Sequence, residues 1–265
     1  MRCGGLSVHV KTSPSVKTRV APVSRPVGSL GGSVGSGRAN MRVVRWALGV
    51  AVGLALGLTL WGALREVSPV GSFVSVTATG CGGRSVASGF AVADDLVVTA
   101  AHPVAGRRQV AVTDSAGRTR NGFVVALDPT LDIAAVRVPG LGADPVVLAA
   151  GDGSHLAPPG SSGVVAAAPE GGELVAKPAR VTRRVRANMD DIYETGRVSR
   201  RGLELSFDGG YGDSGAAVLN ADDAVVGMVF ATSRFREDVG YAVRAVEVRS
   251  LLSQIDELPR RTACP

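Results

Sequence analysis

Residues Ser88–His102 read "SGFAVADDLVVTAAH". Two apolar runs rich in Val, Ala and Phe flank the polar bend Ala93-Asp94-Asp95. β-Branched and aromatic side chains suit a pleated, half-buried surface, so this pattern predicts strand, tight turn, strand. The same punctuation continues outward in both directions. "GSFVSVTAT" (71–79) precedes it; "QVAVTD" (109–114), "RNGFVVAL" (120–127), "DIAAVRV" (132–138), "GVVAAAP" (163–169), "LELSF" (203–207), "AAVLN" (216–220), "AVVGMVF" (224–230) and "GYAVRA" (240–245) follow. Turn residues return about every 8–12 positions, the spacing of an all-β sandwich or barrel. The last stretch differs. "AVEVRSLLSQIDEL" (245–258) puts Val246, Leu251, Leu252, Ile255 and Leu258 near helical spacing, which predicts one short C-terminal helix. No internal repeat is visible.

Upstream, Trp46–Leu64 runs for 19 residues without a charge. At helical rise it is about 28 Å long, close to the hydrocarbon thickness of a bilayer. Trp46 and Trp61 stand near its ends, where interfacial aromatics lie. A buried core helix seldom stays apolar for so long, so a membrane helix is expected. It exceeds the usual apolar core of a cleaved signal peptide, and Trp61 and Leu64 spoil a small-residue cleavage site, so an uncleaved anchor is expected. Basic residues gather before it, which places the N-terminus in the cytoplasm and the rest outside the membrane, in the periplasm or at the cell surface. The expected organisation is a basic, disordered tail over 1–45, the anchor over 46–64, a linker over 65–71, the main domain over 72–258, and a tail over 259–265 carrying Cys264. Met41 is an alternative start.

The net charge of +6 suggests nucleic acid, but its distribution excludes that reading. Residues 1–45 hold eight basic residues and no acid, whereas residues 66–265 hold 20 basic and 23 acidic residues and are net negative by three. The basicity flanks the apolar segment, where it sets orientation. Cys81 and Cys264 bracket the main domain; in an oxidising compartment two cysteines suggest one disulfide, the alternative being two free thiols. No His/Cys cluster surrounds either, so no metal is expected, and no motif calls for a cofactor. The Arg-rich stretch 180–201 reads as a solvated loop, or as an activation loop cut by the protein itself.

"GYGDSGAAVLN" (Gly210–Asn220) sets Ser214 between glycines ahead of an apolar run. Alone this is weak, because serine is common in turns. A serine nucleophile needs an imidazole to take its proton and a carboxylate to orient that imidazole. The main domain has two histidines. His102 ends a strand among small residues; His155 lies in a Pro/Gly loop and reads as a surface residue. Asp132 precedes an apolar run, where an acid needs a partner, whereas Asp128 before Pro129 reads as a turn acid.

Together, "TAAH", "LDIAAV" and "GDSGAAV", in that order, resemble the chymotrypsin-fold, trypsin-like serine proteases over residues 72–258. The resemblance implies two six-stranded antiparallel β-barrels with a short C-terminal helix. It implies His102 as general base, Asp132 as its orienting acid and Ser214 as nucleophile. The N–H groups of Gly212 and Ser214 would form the oxyanion hole. Asp208, six residues before Ser214, would sit at the base of the S1 pocket or merely cap a strand, and Phe230-Ala231-Thr232 would wall that pocket. Within the fold the chain is similar to the actinobacterial acid-resistance periplasmic serine proteases, which join the start and end of the domain by a disulfide, as Cys81 and Cys264 would. That family has several membrane helices where this chain has one apolar segment. The HtrA type is also similar in "LDIAAV", without its PDZ domain here and with Asp213 where it has Asn. The implied partner is a polypeptide substrate. The alternative is a latent or inactive protease-fold module that recruits envelope proteins.

Overall fold

The computed structural model describes residues 9–10, 70–151, 155–169, 173–260 and 263–265. Short apolar runs form the strands, many of them buried along nearly their whole length. β2 (Phe73–Gly80), β3 (Gly83–Ala93), β4 (Leu96–Ala100), β5 (Gln109–Thr113), β6 (Thr119–Asp128) and β7 (Ile133–Arg137) close into a barrel in the order β2-β3-β4-β7-β6-β5. The opening stretch is indeed strand, turn, strand: β3 and β4 pair antiparallel across Asp94-Asp95, with Gly89 opposite Thr99. Val74, Val76, Val97, Val112 and Val136 fill this barrel.

The second barrel comprises β8 (Ser162–Ala167), β9 (Val175–Asp190), β10 (Arg197–Ser206), β11 (Ala217–Leu219), β12 (Val225–Thr232) and β13 (Val239–Arg244), in the order β9-β10-β13-β12-β11-β8, closed by β8 pairing with β9. Its core holds Leu203, Leu205, Phe207, Val218 and Val229. A further apolar cluster draws on both barrels, with Phe90, Val98 and Ile133 from the first and Ala217, Met228 and Val243 from the second. The fold is therefore all-β, with two six-stranded barrels and a seam between them.

Three expectations need correction. The Arg-rich stretch 180–201 is neither a solvated nor an activation loop: it forms most of the β9–β10 hairpin, paired from Arg197 opposite Asp190 to Ser206 opposite Arg180. Ala179, Val181, Ala187 and Met189 point inward while Arg180, Arg184 and Arg186 point out, so a period-two strand was hidden by the density of arginine. The C-terminal helix, α1 (Ala245–Ser253), stops short of Leu258; Ile255 and Leu258 pack on the seam from the turns that follow. Two residues of the basic tail, His9–Val10 (β1), pair antiparallel with Asn188 and Ala187 of β9, so disorder does not hold at those two positions.

The expected anchor 46–64 and linker 65–69 lie outside the described residues, and among the described residues no helix is long and apolar enough to cross a membrane. Cys81 and Cys264 form a disulfide with Cα atoms 5.6 Å apart. It spans 183 residues of sequence. Closing a loop of that size stabilises a fold by about 5 kcal/mol in the chain-entropy account.

Candidate active site

His102 follows β4 by two residues and Asp132 immediately precedes β7. These strands pair antiparallel with Ala100 opposite Ile133, so the two side chains emerge at one end of the ladder. The Ala101 N–H donates to the Asp132 carbonyl at 3.2 Å, and the His102 N–H donates to Asp132 Oδ1 at 2.8 Å. The imidazole Nδ1 lies 3.1 Å from Oδ1 and 2.9 Å from Oδ2. A carboxylate only accepts, so Nδ1 carries the proton and the Nε2 lone pair is left free. Asp132 has φ +61°. That left-handed conformation costs about 1–3 kcal/mol, a strain that persists where surrounding bonds fix it.

Asp132 is buried. Burial alone would raise its pKa. The charge of His102, its Nδ1–H bond, the Arg200 guanidinium and the His102 backbone N–H outweigh burial and hold the carboxyl below the ordinary aspartate range. It stays ionised at neutral pH, as an acid that orients an imidazole must.

Ser214 lies in the turn between β10 and β11, and it lines the same two cavities as His102. Among the described residues, the His102 side chain bonds Asp132 and makes no hydrogen bond to Ser214. Such bonds are often long without substrate. The glycines around Ser214 are required by geometry. A Cβ on Gly215 would lie 2.1 Å from the Ser88 carbonyl oxygen, and one on Gly212 would lie 2.9 Å from Pro169 Cβ. Both have positive φ, +86° and +89°. Among the described residues, the N–H groups of Gly212 and Ser214 donate to no protein acceptor, which leaves both for a ligand.

Two adjoining cavities meet at His102, Ser214 and Thr232. One, about 500 Å³, is lined also by Gly210, Tyr211, Gly212 and Pro103; the other, about 580 Å³, by Asp132, Arg200, Phe230 and Ala231. Phe230, Ala231 and Thr232 thus share a cavity with the serine, Phe230 being set by a bulge in β12 between Val229 and Ala231. Asp208 is exposed and lines neither cavity, so the structure does not bring it to the serine. Its neighbour Phe207 is buried instead, its ring packed against Gly209 and Gly240. His155 is exposed on its loop. Among the described residues no group of His, Cys, Asp and Glu could hold a metal ion.

A family model for the trypsin-like peptidase domain matches residues 87–228, more than half of the chain. The chain belongs to the trypsin-like peptidase family. This trypsin-like peptidase is 34% identical over 169 residues to the serine protease Rv3671c of Mycobacterium tuberculosis, covering 63% of this chain and 41% of that protein. It is 30% identical over 180 residues to the mitochondrial serine protease HTRA2 of Bos taurus, covering 62% and 35%. The chain spans about two fifths of the length of the mycobacterial relative it matches. The crystal structure of the Rv3671c protease in its active form superposes with a TM-score of 0.67 at 30% identity, covering 74% of this chain and 87% of that one. Its inactive form gives 0.60 at 32%, covering 69% and 88%.

Three residues of this trypsin-like peptidase escaped the sequence reading. Ser88, fully buried, joins the barrels. Its N–H donates to the Ser214 carbonyl at 2.8 Å, its Oγ–H donates to the Gly212 carbonyl at 2.8 Å, and Thr99 Oγ1 donates to the Ser88 carbonyl at 2.7 Å. Nothing in "SGFAV" marks it. Arg200 approaches Asp132 from the second barrel. Lys177 donates to both oxygens of Asp213, at 3.0 and 2.7 Å, while the Gly210 N–H donates to Oδ2 at 2.6 Å. One signal could have found it: the chain has three lysines among its 29 basic residues, and Lys177 is the only one after residue 17.

Asp213 is buried beside Ser214, so the Lys177 pair pins the turn that presents both the hydroxyl and the Gly212 N–H. Lys177→Met leaves a buried carboxylate without its cation, an arrangement that costs about 3–5 kcal/mol. The turn is expected to relieve this by moving. Peptide-ester hydrolysis should then fall about 10²- to 10³-fold, the effect of losing one oxyanion donor. Unchanged hydrolysis in a folded variant would show that the pair does not hold the turn.

Proposed function

We propose that residues 72–258 are a serine endopeptidase, with Ser214 as nucleophile, His102 as general base and Asp132 as the acid that orients it. The observation that carries this reading is the doubly bonded His102 imidazole, its Nδ1 held by a buried ionised carboxylate, in the cavities that Ser214 lines. Ser214 Oγ attacks the scissile carbonyl carbon and its proton passes to His102 Nε2. The carbonyl π electrons move to oxygen, where the N–H groups of Gly212 and Ser214 receive them. The C–N bond then breaks, the amine leaves with the proton from Nε2, and an acyl-Ser214 ester remains. Water, deprotonated by the same imidazole, hydrolyses that ester and restores the serine. A backbone chain running past Phe230-Ala231-Thr232 accounts for a polypeptide substrate, and no cofactor is required.

The reading extends to the membrane. The apolar run 46–64 anchors the domain, the basic residues before it remain cytoplasmic, and the peptidase faces outward, where the Cys81–Cys264 disulfide is stable. A cytoplasmic tail and the β1–β9 pairing exclude one another in one topology, so a peptidase found outside the membrane with its N-terminus inside would rule that pairing out.

The test is labelling of the full chain in membranes by a fluorophosphonate probe, with the labelled residue located by peptide mapping. Labelling on Ser214, on material that resists carbonate extraction, is expected. No labelling at any pH or after any proteolytic treatment would sink the enzyme reading and favour a protease-fold binding module. P1 Arg and P1 Leu peptides tested in the same preparation read the role of Asp208; its exposed position predicts no strong preference for Arg.

A further inference from the structure

We infer that Arg200 is a positioning residue for the reaction: its guanidinium, inserted from the second barrel, clamps the loop that carries Asp132 and fixes the carboxylate against His102. The inference rests on the triad reading above.

Arg200 belongs to β10, on the opposite barrel from Asp132. Its side chain is 1% exposed. An arginine so enclosed needs partners for a donor set of five N–H groups. Nε donates to the Thr130 carbonyl at 2.6 Å and Nη2 to the Pro129 carbonyl at 3.3 Å. Nη1 donates to Met189 Sδ at 3.2 Å and lies 3.6 Å from Asp132 Oδ2. The guanidinium carbon stands 5.2 Å from the centroid of the Phe230 ring, within cation–π range. One planar group therefore touches two of the three residues preceding Asp132, the carboxylate itself, and the aromatic wall of the cavity.

The loop needs such a clamp. Asp132 sits in the left-handed region, a conformation its own backbone disfavours. Asp128 holds the near side through the N–H groups of Thr130 and Leu131, at 2.8 and 2.9 Å. Those bonds fix the start of the turn but leave the Pro129 and Thr130 carbonyls to other donors, and Arg200 supplies them across the seam. The carboxylate lies between a donor set on one side, the His102 N–H and Nδ1–H, and a cation on the other. Lysine could bring the charge but not the fork, because it has one nitrogen where the site uses three.

The experiment compares wild type, Arg200→Met and Arg200→Lys by steady-state kinetics, thermal melting and the downfield proton resonance of His102 Nδ1–H. Methionine fills a similar apolar volume but takes one partner from a buried ion pair, which destabilises a fold, so melting is read beside the kinetics. In Arg200→Met, kcat is expected to fall about 10- to 100-fold with KM changed little, as for a small misplacement of a reacting group. The Nδ1–H resonance should broaden or shift upfield. Arg200→Lys should recover part of kcat and not all of it. A folded Arg200→Met chain with wild-type kcat overturns the inference, as does a fall in kcat with the resonance unmoved, which marks a general loss of stability. If Arg200→Met does not fold, Arg200→Lys decides: full activity there overturns the role of the fork. Wild type that fails to label or turn over overturns the enzyme reading itself, so the two failures are distinguishable.

Discussion

Ser214→Ala is expected to lower kcat for peptide hydrolysis by about 10⁶, and His102→Ala by a similar factor, while the double variant loses no more than either alone. The reason is that, in the proposed reaction, the hydroxyl and the imidazole act as one unit. Without His102, Ser214 has no base for its proton; without Ser214, the imidazole has nothing to activate. Asp132, two hydrogen bonds and a buried position hold the imidazole in place, but none of them performs the proton transfer. A residual rate above the uncatalysed one should survive in every variant, because Gly212 and Ser214 still offer N–H groups to the oxyanion. Steady-state kinetics on the four chains tests this directly. Additive losses in the double variant would mean that Ser214 and His102 act separately, contrary to a shared proton.

Asp132→Asn is the second large effect, with kcat/KM expected to fall about 10⁴-fold. The carboxylate receives the His102 N–H and Nδ1–H and faces the Arg200 guanidinium. An amide in its place must direct its own NH₂ at one of these donors. The imidazole can relieve the clash by presenting Nδ1 as an acceptor, which moves its proton to Nε2 and removes the lone pair that Ser214 needs. The substitution also changes acid sensitivity. The folded carboxyl titrates below the ordinary aspartate value, so it stabilises the fold at neutral pH, and this contribution is lost as pH falls below about 4 through the folded value. Melting temperature should fall less steeply on acidification in Asp132→Asn than in wild type. An equal slope would mean that Asp132 titrates alike in folded and unfolded chains.

The strands of the first barrel were legible because Val, Ala and Phe alternate with short polar bends, as in Ser88–His102. The β9–β10 hairpin was not, since arginines on its outer face masked the alternation of Ala179, Val181, Ala187 and Met189. His102, Asp132 and Ser214 could be chosen from the sequence because each sits in a distinctive local phrase and the main domain has only two histidines. Asp208 has only its offset from Ser214 to recommend it, and an offset says nothing about which way a strand end turns its side chain. Ser88, Lys177 and Arg200 have no local phrase at all; their partners lie 126, 36 and 68 positions away, as read from Ser214, Asp213 and Asp132.

The sequence by itself determined the residue types and their order: short apolar runs between polar bends, the imidazole, the acid, the serine between glycines, and two cysteines at the ends of the domain. Each is a local property, set by side-chain chemistry and spacing along one segment. The tertiary structure decided which groups meet across the seam between the barrels. There Ser88 reaches the serine turn and Arg200 arrives behind Asp132, while within the second barrel Lys177 neutralises Asp213, because buried polar groups must find partners and the nearest ones come from distant strands.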